Sequence, residues 1–531
     1  MASSPRPDAT VPDLSVFDYL FGGLADDDLD AVAIIDGTSG ATTTYRQLVG
    51  QVQLLAGALA ARDVGVGDVV AVLCPNVPAF ATVFHGILRS GATATTVNSL
   101  YTPDEIANQL TDAGAAWFFT VSPLLPQAKA AAARVGIADD HLVVLDGAEG
   151  HPSLRDLLGE GHSAPDVSFD PAEHLAVLPY SSGTTGRPKG VMLTHRNLVA
   201  NVAQNVESIG LESSDRVLAV LPFFHIYGMT VLLNYALKCR ASLVTMPKFD
   251  LVEFLRVIGE HRATWVFIAP PIAVALAKHP LVAQADLSSV KVVFSGAAPL
   301  DGALAELVAE RLDCIVCQGY GMTETSPVTH VIALDRPDLD RSSIGHLLPS
   351  TEARVVDVDS GVDVDVPADG ASDPGELWIR GPQVMKGYLG NPEATAQMLD
   401  ADGWLHTGDI ATVTADGVYR IVDRLKELIK YKGYQVAPAV LEAVLLGHPD
   451  VADAAVIGVL DDDGQEIPKA FVVAQPGAAL DADAVIAYVA EHVAPHEKVR
   501  AVEFIDVVPK SSSGKILRKD LRAREAATQG A

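Results

Sequence analysis

The stretch YSSGTTGRPKG, residues 180–190, holds two serines, two threonines, three glycines and a lysine. It lies between two apolar runs, HLAVLP before it and VMLTHRNLVANVAQNV after it. A strand, a loop of Gly, Ser and Thr, and then a helix is a frame for binding phosphate: glycines let backbone N–H groups approach an anion, and hydroxyls donate further hydrogen bonds. Gly183, Gly186 and Gly190 punctuate the loop, Pro188 stiffens it, and Lys189 adds a mobile positive charge. Thr194 is placed to cap the next helix, whose apolar stripe runs Leu198, Val202, Val206. The glycine spacing is not that of the P-loop, so the loop predicts a different class of nucleotide site.

The chain around this loop has 531 residues, which predicts several structural units, and 49% of them are hydrophobic, enough for a large core. The net charge of −29 argues against nucleic acid or an anionic membrane as partner. The start, MASSPRPDATVPDLSVF, does not read as a signal peptide, and the end, ATQGA, does not read as a peroxisomal address. Apolar runs such as VVAVL are too short to span a bilayer. Four cysteines do not make a disulfide scaffold, and Cys314 and Cys317 are expected to be structural. These features together predict a cytoplasmic protein.

Short apolar runs alternate with helical patterns, as in DVVAVLC followed by VPAFATVFHGILRSG, which predicts α/β layers with sheets buried on both faces. From about residue 350 the texture changes. TEARVVDVDSGVDVDVP alternates apolar and acidic residues about Ser360-Gly361 and predicts a solvent-faced hairpin. With GELWIRGPQVMKGYLG and GVYRIVDR it suggests a β-rich subdomain over about 350–424. Residues 425–531 read as a small α+β unit with a core of its own.

YSSGTTGRPKGVMLTHRN resembles the signature loop of the adenylate-forming superfamily: acyl-CoA synthetases, adenylation domains of peptide synthetases, and beetle luciferases. LPFFHIYGM, MPKFD, FSGAAPL, QGYGMTET, GWLHTGD, DRLKELIKYKGYQVAPAVLE and PKSSSGKILRKDLR extend the resemblance over nearly the whole chain, in the family's order. The set is most similar to the 4-coumarate:CoA ligase-like branch. The resemblance implies an N-terminal domain, residues 1–424, of two stacked α/β sheets plus a distorted β-barrel, and a mobile C-terminal domain, residues 425–531. It implies a ligase that uses ATP, Mg²⁺ and coenzyme A: a carboxylate attacks the α-phosphate of ATP to give an acyl-adenylate, and a thiol then displaces AMP. A small carboxylic acid would be the partner, and the chain a monomer or homodimer.

The same resemblance assigns residues. Ser181, Ser182, Gly183, Thr184, Thr185 and Lys189 match the pyrophosphate cradle. Thr323 and Glu324 match the α-phosphate and Mg²⁺ contacts, and a carboxylate is the hard oxygen ligand that Mg²⁺ takes. Gly296, Ala297, Ala298 and Pro299, with Gly319, Tyr320 and Gly321, match the walls of the adenine slot, Tyr320 stacking on the base. Asp409 and Arg424 match the ribose contacts, and Gln318 a further nucleotide contact. Lys515 matches the lysine that bridges the acyl carboxylate and the α-phosphate. Lys426 matches the hinge, Lys430 and Gln435 the thioester-forming face, and Lys432, Gly433 and Lys248 contacts to CoA. His225 matches a residue beside the acyl carboxylate and the thiol entry.

Tyr227, Thr230, Phe267, Phe294, Gly296, Gly319, Pro327 and Val328 would line the acyl pocket. Plant hydroxycinnamate ligases hold the ring hydroxyl with polar side chains at the positions of Thr230 and Phe294. With Phe at the second, cinnamate-like and other aryl acids, or medium-chain fatty acids, fit the lining as well as 4-coumarate. Transfer of the acyl group to a carrier protein, or luciferase-like oxygenation, are the alternative activities.

Overall fold

The computed structural model describes residues 2–181, 188–431, 434–461, 465–511 and 514–529. Two large sheets form its centre. One runs Gly387–Tyr388, Lys189–Thr194, Leu175–Val177, Thr93–Thr96, Val69–Leu73, Ala115–Thr120, Leu142–Val144, and is parallel from Leu175–Val177 onward. The other is nine-stranded, and its parallel middle runs Ile315–Gly321, Val292–Ser295, Trp265–Ile268, Arg216–Ala219, Ser242–Thr245, Val32–Asp36. Its strands are nearly continuous apolar runs because both faces are covered. Buried Tyr45, Phe84, Trp265 and Phe267 belong to one hydrophobic cluster that joins both sheets.

A five-stranded antiparallel sheet carries Glu352–Val356, Gly375–Arg380, Leu405–Val413 and Tyr419–Arg424. It is the part of the fold expected as a distorted barrel. The hairpin predicted about Ser360-Gly361 is only half formed. Asp357 and Val362 close the turn, but the second arm makes a single bridge, Val356 to Asp363. Val362 and Val366 stay exposed, because no further strand covers that arm. Beyond residue 424 the strands Val451–Leu460, Glu466–Ala474 and Ala501–Phe504 form a small sheet, with hydrophobic clusters drawn from residues 429–521 alone.

The helix that follows the loop at 180–190 starts after Thr194 as predicted, but a strand not foreseen in the sequence precedes it: Lys189–Thr194 is antiparallel to Leu175–Val177 and paired with Tyr180–Ser181. Ser181 faces Lys189 and Tyr180 faces Gly190 in that pairing. The helix His195–Val206 comes next, and Thr194 caps it in a capping box with Asn197. Leu198 and Val202 are buried as predicted, while Val206 at the helix end is exposed. Asn197 Nδ2 also donates to the carbonyls of Pro382 and Val384, both at 2.9 Å, which ties the helix start to the segment leading into Gly387–Tyr388. Thr194→Ala should destabilise the large domain by about 1 kcal/mol, whereas Thr194→Ser should be nearly neutral. Chemical denaturation of the two variants checks this.

Candidate active site

The cleft opens at the carboxyl ends of three neighbouring parallel strands, Trp265–Ile268, Val292–Ser295 and Ile315–Gly321, which is where open α/β sheets place ligands. Gly296 follows the middle strand and donates its N–H to Ile268 O at 3.0 Å. A Cβ there would meet the Tyr227 ring at 2.8–2.9 Å, so only glycine lets the backbone pass. Ala297 takes a left-handed conformation, φ 72°. The far side of this loop is held by Gln318. Its Oε1 accepts the Leu300 N–H at 3.1 Å, and its Nε2 donates to Leu300 O at 3.2 Å and Arg341 O at 2.6 Å. The Gln318 carboxamide, expected on the nucleotide, is thus occupied in shaping the loop of Ala297, Ala298 and Pro299.

Asp409 and Arg424 face each other across adjacent strands. The buried Asp409 carboxylate receives the Arg424 guanidinium at 3.2 Å and the Tyr320 hydroxyl at 2.5 Å. Burial and the Asp409 charge push the Tyr320 phenol well up, so it remains a donor. Tyr320 therefore steers a carboxylate as well as walling the slot beside Gly319 and Gly321. Glu324 sits in the single turn Thr323–Thr325 and is buried. Its Oε1 accepts the Tyr388 hydroxyl at 2.8 Å, and the Lys189 ammonium stands 5.0 Å over the Tyr388 ring. Tyr388 was missed in the sequence, where GYLG read only as a strand. The signal available was that a buried carboxylate needs a donor.

Lys515 enters this cleft from the small domain. It is half-buried, and it feels the charges of Arg424, Asp409 and Glu324. Burial, reinforced by Arg424, lowers its ammonium to about 8, against the pull of the two carboxylates. Burial, reinforced by the Lys515 charge, pushes His225 down to about 3, so the ring is neutral. His225 Nδ1 accepts the Tyr227 N–H at 3.3 Å, which leaves the proton on Nε2. The loop bearing Lys515 is braced at both bases: Lys510 binds Asp453 at 2.6 Å, and Arg518 binds both oxygens of Glu442 at 2.7 Å. Its Gly514, φ 84°, lies so close to the large domain that a Cβ would stand 3.0 Å from the Ala269 Cβ.

Beside these charged groups lies an apolar wall. Tyr227 and Thr230 come from a π-helical turn, Tyr227–Asn234, and the Phe267 and Phe294 rings meet at 5.3 Å. Pro327 and Val328 are buried next to Glu324. The Thr230 hydroxyl is fully buried with no partner among the described residues.

Lys515, and not Lys430, stands among Asp409, Glu324 and Arg424. Lys430, Lys426 and Lys248 are exposed. Ser182, Gly183, Thr184, Thr185, Lys432 and Gly433 lie outside the described residues, as does the Gln435 side chain; Ser181 pairs with Lys189 at the base of the loop. A surface groove of about 580 Å³ lined by Thr43, Gln51, Leu145 and Arg155 shares no residue with this cleft.

The arrangement can hold an anion between Lys515 and Lys189, a diol at Asp409 and a hard cation at Glu324. Because kcat/KM reports the free enzyme, attack on an anionic phosphate should lose rate above pH about 8, as Lys515 gives up its proton. Lys515→Arg, which stays charged, should abolish that alkaline limb. A pH profile of kcat/KM for ATP from pH 6 to 10 measures it.

Comparison with known proteins gives a consistent picture. Residues 24–389 match the AMP-binding enzyme family, and residues 440–515 match the AMP-binding enzyme C-terminal domain. The chain is 42% identical to 4-coumarate--CoA ligase 5 of Oryza sativa subsp. japonica, covering 99% of this chain and 97% of that one. Among solved structures, ATP-bound MatB from Rhodopseudomonas palustris is 30% identical with TM-score 0.86, covering 97% and 99% of the two chains. The anthranilate CoA ligase AuaEII, solved with anthranoyl-AMP, is 27% identical with TM-score 0.89, covering 97% and 98%.

Proposed function

The chain belongs to the AMP-binding enzyme family, and on that premise we propose how its residues divide the work of joining a carboxylic acid to CoA through an acyl-adenylate. The observation that carries the proposal is the position of Lys515 among Asp409, Glu324, Arg424 and His225. In the first step two anions must meet, so positive charge must be fixed where they meet. Lys515 bridges the acid carboxylate and the α-phosphate, and Lys189 with the loop at 181–185 holds the departing pyrophosphate. Asp409 takes the ribose hydroxyls with oxygens already oriented by Tyr320 and Arg424. Neutral His225 donates from Nε2 to the acyl carboxylate and orients it.

The residues present fit Mg²⁺: Glu324 offers a buried hard oxygen, and Tyr388 holds one of its two oxygens so that the other is aimed. The ion would neutralise charge on the phosphates there.

Thioester formation needs a thiol where Lys515 stands. We place the domain boundary at 424/425 and the hinge at Lys426. Rotation about it would withdraw Lys515 and bring Lys430 and Gln435 to the cleft, with Lys432, Gly433 and Lys248 on the CoA nucleotide. The exposure of Lys430 while Lys515 is inside supports two alternating faces. No helix among the described residues is long and apolar enough to cross a membrane. A cytoplasmic location, where ATP and CoA are held, agrees with the reaction.

Single-turnover kinetics of each half-reaction tests the assignment. Lys515→Ala should slow pyrophosphate release on the order of 10²–10³-fold yet still make thioester from synthetic acyl-adenylate and CoA. Lys430→Ala should do the reverse. Equal slowing of both steps in both variants, or ADP as a product, would refute the proposal.

For the acid, the apolar Phe267–Phe294 wall supports an aromatic acid without a distal hydroxyl, because Phe294 offers such a hydroxyl no hydrogen bond and leaves Thr230 as its single polar neighbour in the lining. Cinnamate-like acids should show higher kcat/KM than 4-coumarate. A preference for 4-coumarate on the order of 100-fold would contradict this, since such discrimination needs a dedicated polar partner. Medium-chain fatty acids in the same pyrophosphate-release assay test the second reading that the apolar wall allows.

A further inference from the structure

The helix Pro438–Gly447, just past the proposed hinge, is held at both ends by the large domain. Ala437 before it has no side-chain oxygen, and Pro438 has no N–H, so the helix brings no cap of its own. Its next amide, Ala439 N–H, donates to Asp423 Oδ2 at 2.8 Å. Asp423 is buried in the strand Tyr419–Arg424, and its other oxygen accepts the Arg424 N–H at 2.6 Å. At the opposite end, the Lys278 ammonium donates to Leu446 O, one of the helix's terminal carbonyls, at 3.0 Å. A carboxylate at the N-terminus and an ammonium at the C-terminus satisfy orphan backbone groups and match the helix dipole.

The clamp connects to the chemistry through a short chain of contacts. The clamped helix carries Glu442, Glu442 holds Arg518 by two 2.7 Å bonds, and Arg518 stands three residues after Lys515. Lys278 closes the helix Pro270–Lys278, whose N-cap is Ala269, the seat of Gly514. We infer that Asp423 and Lys278 are positioning residues for adenylation: they fasten the Pro438–Gly447 helix so that Lys515 stays in the cleft, and both contacts part when the small domain turns. This rests on the two-face reading above.

The test is single-turnover kinetics of the two half-reactions on Asp423→Ala, Lys278→Met and Ala439→Pro. The last removes the N–H without touching Asp423, and this chain already opens a helix with Pro270-Pro271. Losing a helix cap shifts an equilibrium by roughly 2- to 30-fold, so each variant should slow pyrophosphate release by that factor. None should slow thioester formation from supplied acyl-adenylate and CoA. Lys278→Arg, which keeps a donor, should restore the first step. A merely structural role would depress both steps together. Such a parallel fall, or unchanged pyrophosphate release in all three variants, overturns the inference. Lys515→Ala is the control. If it leaves pyrophosphate release intact, the two-face reading falls. If it abolishes release while the clamp variants fail to split the steps, only the clamp falls.

Discussion

An ammonium ion loses hydration when it leaves water, and the structure turns on how Lys515 makes that move. Its charge is carried on a loop from a separate small domain into a cleft that already holds Asp409 and Glu324. The carboxylates compensate part of the lost hydration, while Arg424 opposes them. The result is a lysine still charged near neutrality but less firmly than one in water. Everything rigid around it serves this poise. Tyr320 and Arg424 fix one carboxylate, Tyr388 fixes the other, and two ion pairs brace the loop behind it.

The scaffold achieves such fixity by ending three adjacent parallel strands at the cleft and following them with residues too small to obstruct it. Gly296 admits the Tyr227 ring, Gly319 admits the Phe294 ring, and Gly321 passes so near Pro327 that a Cβ would lie 2.0 Å from its carbonyl oxygen. These contacts come from opposite walls of the site. The Tyr227 and Phe294 rings and the backbone at Gly296 and Gly319 are therefore packed together, and a change in one is felt in the other.

The α/β class was legible in the sequence because it depends on local pattern: apolar runs of strand length alternating with helical ones. What was not legible was the strand between the loop and the helix. VMLT is too short for periodicity to mark it, and its antiparallel partner, Leu175–Val177, is a tertiary fact. Gln318 was assigned to the nucleotide by the resemblance; its three backbone partners come from segments distant in sequence. Tyr388, Asp423 and Lys278 carry no motif of their own. They matter through what the fold brings to them, which a single sequence does not display.

The strand Lys189–Thr194 has a consequence for how this part of the chain can change over evolution. Strand residues alternate between faces, so Lys189 shares its side with Val191 and Leu193, both fully buried. The position of Lys189 and the integrity of the core are thus written in one register. A change that slips this strand by one residue would turn Lys189 to the other face and, in the same stroke, take Val191 and Leu193 with it. Such a lineage would lose its fold along with its charge, so folding itself guards the site against frame errors.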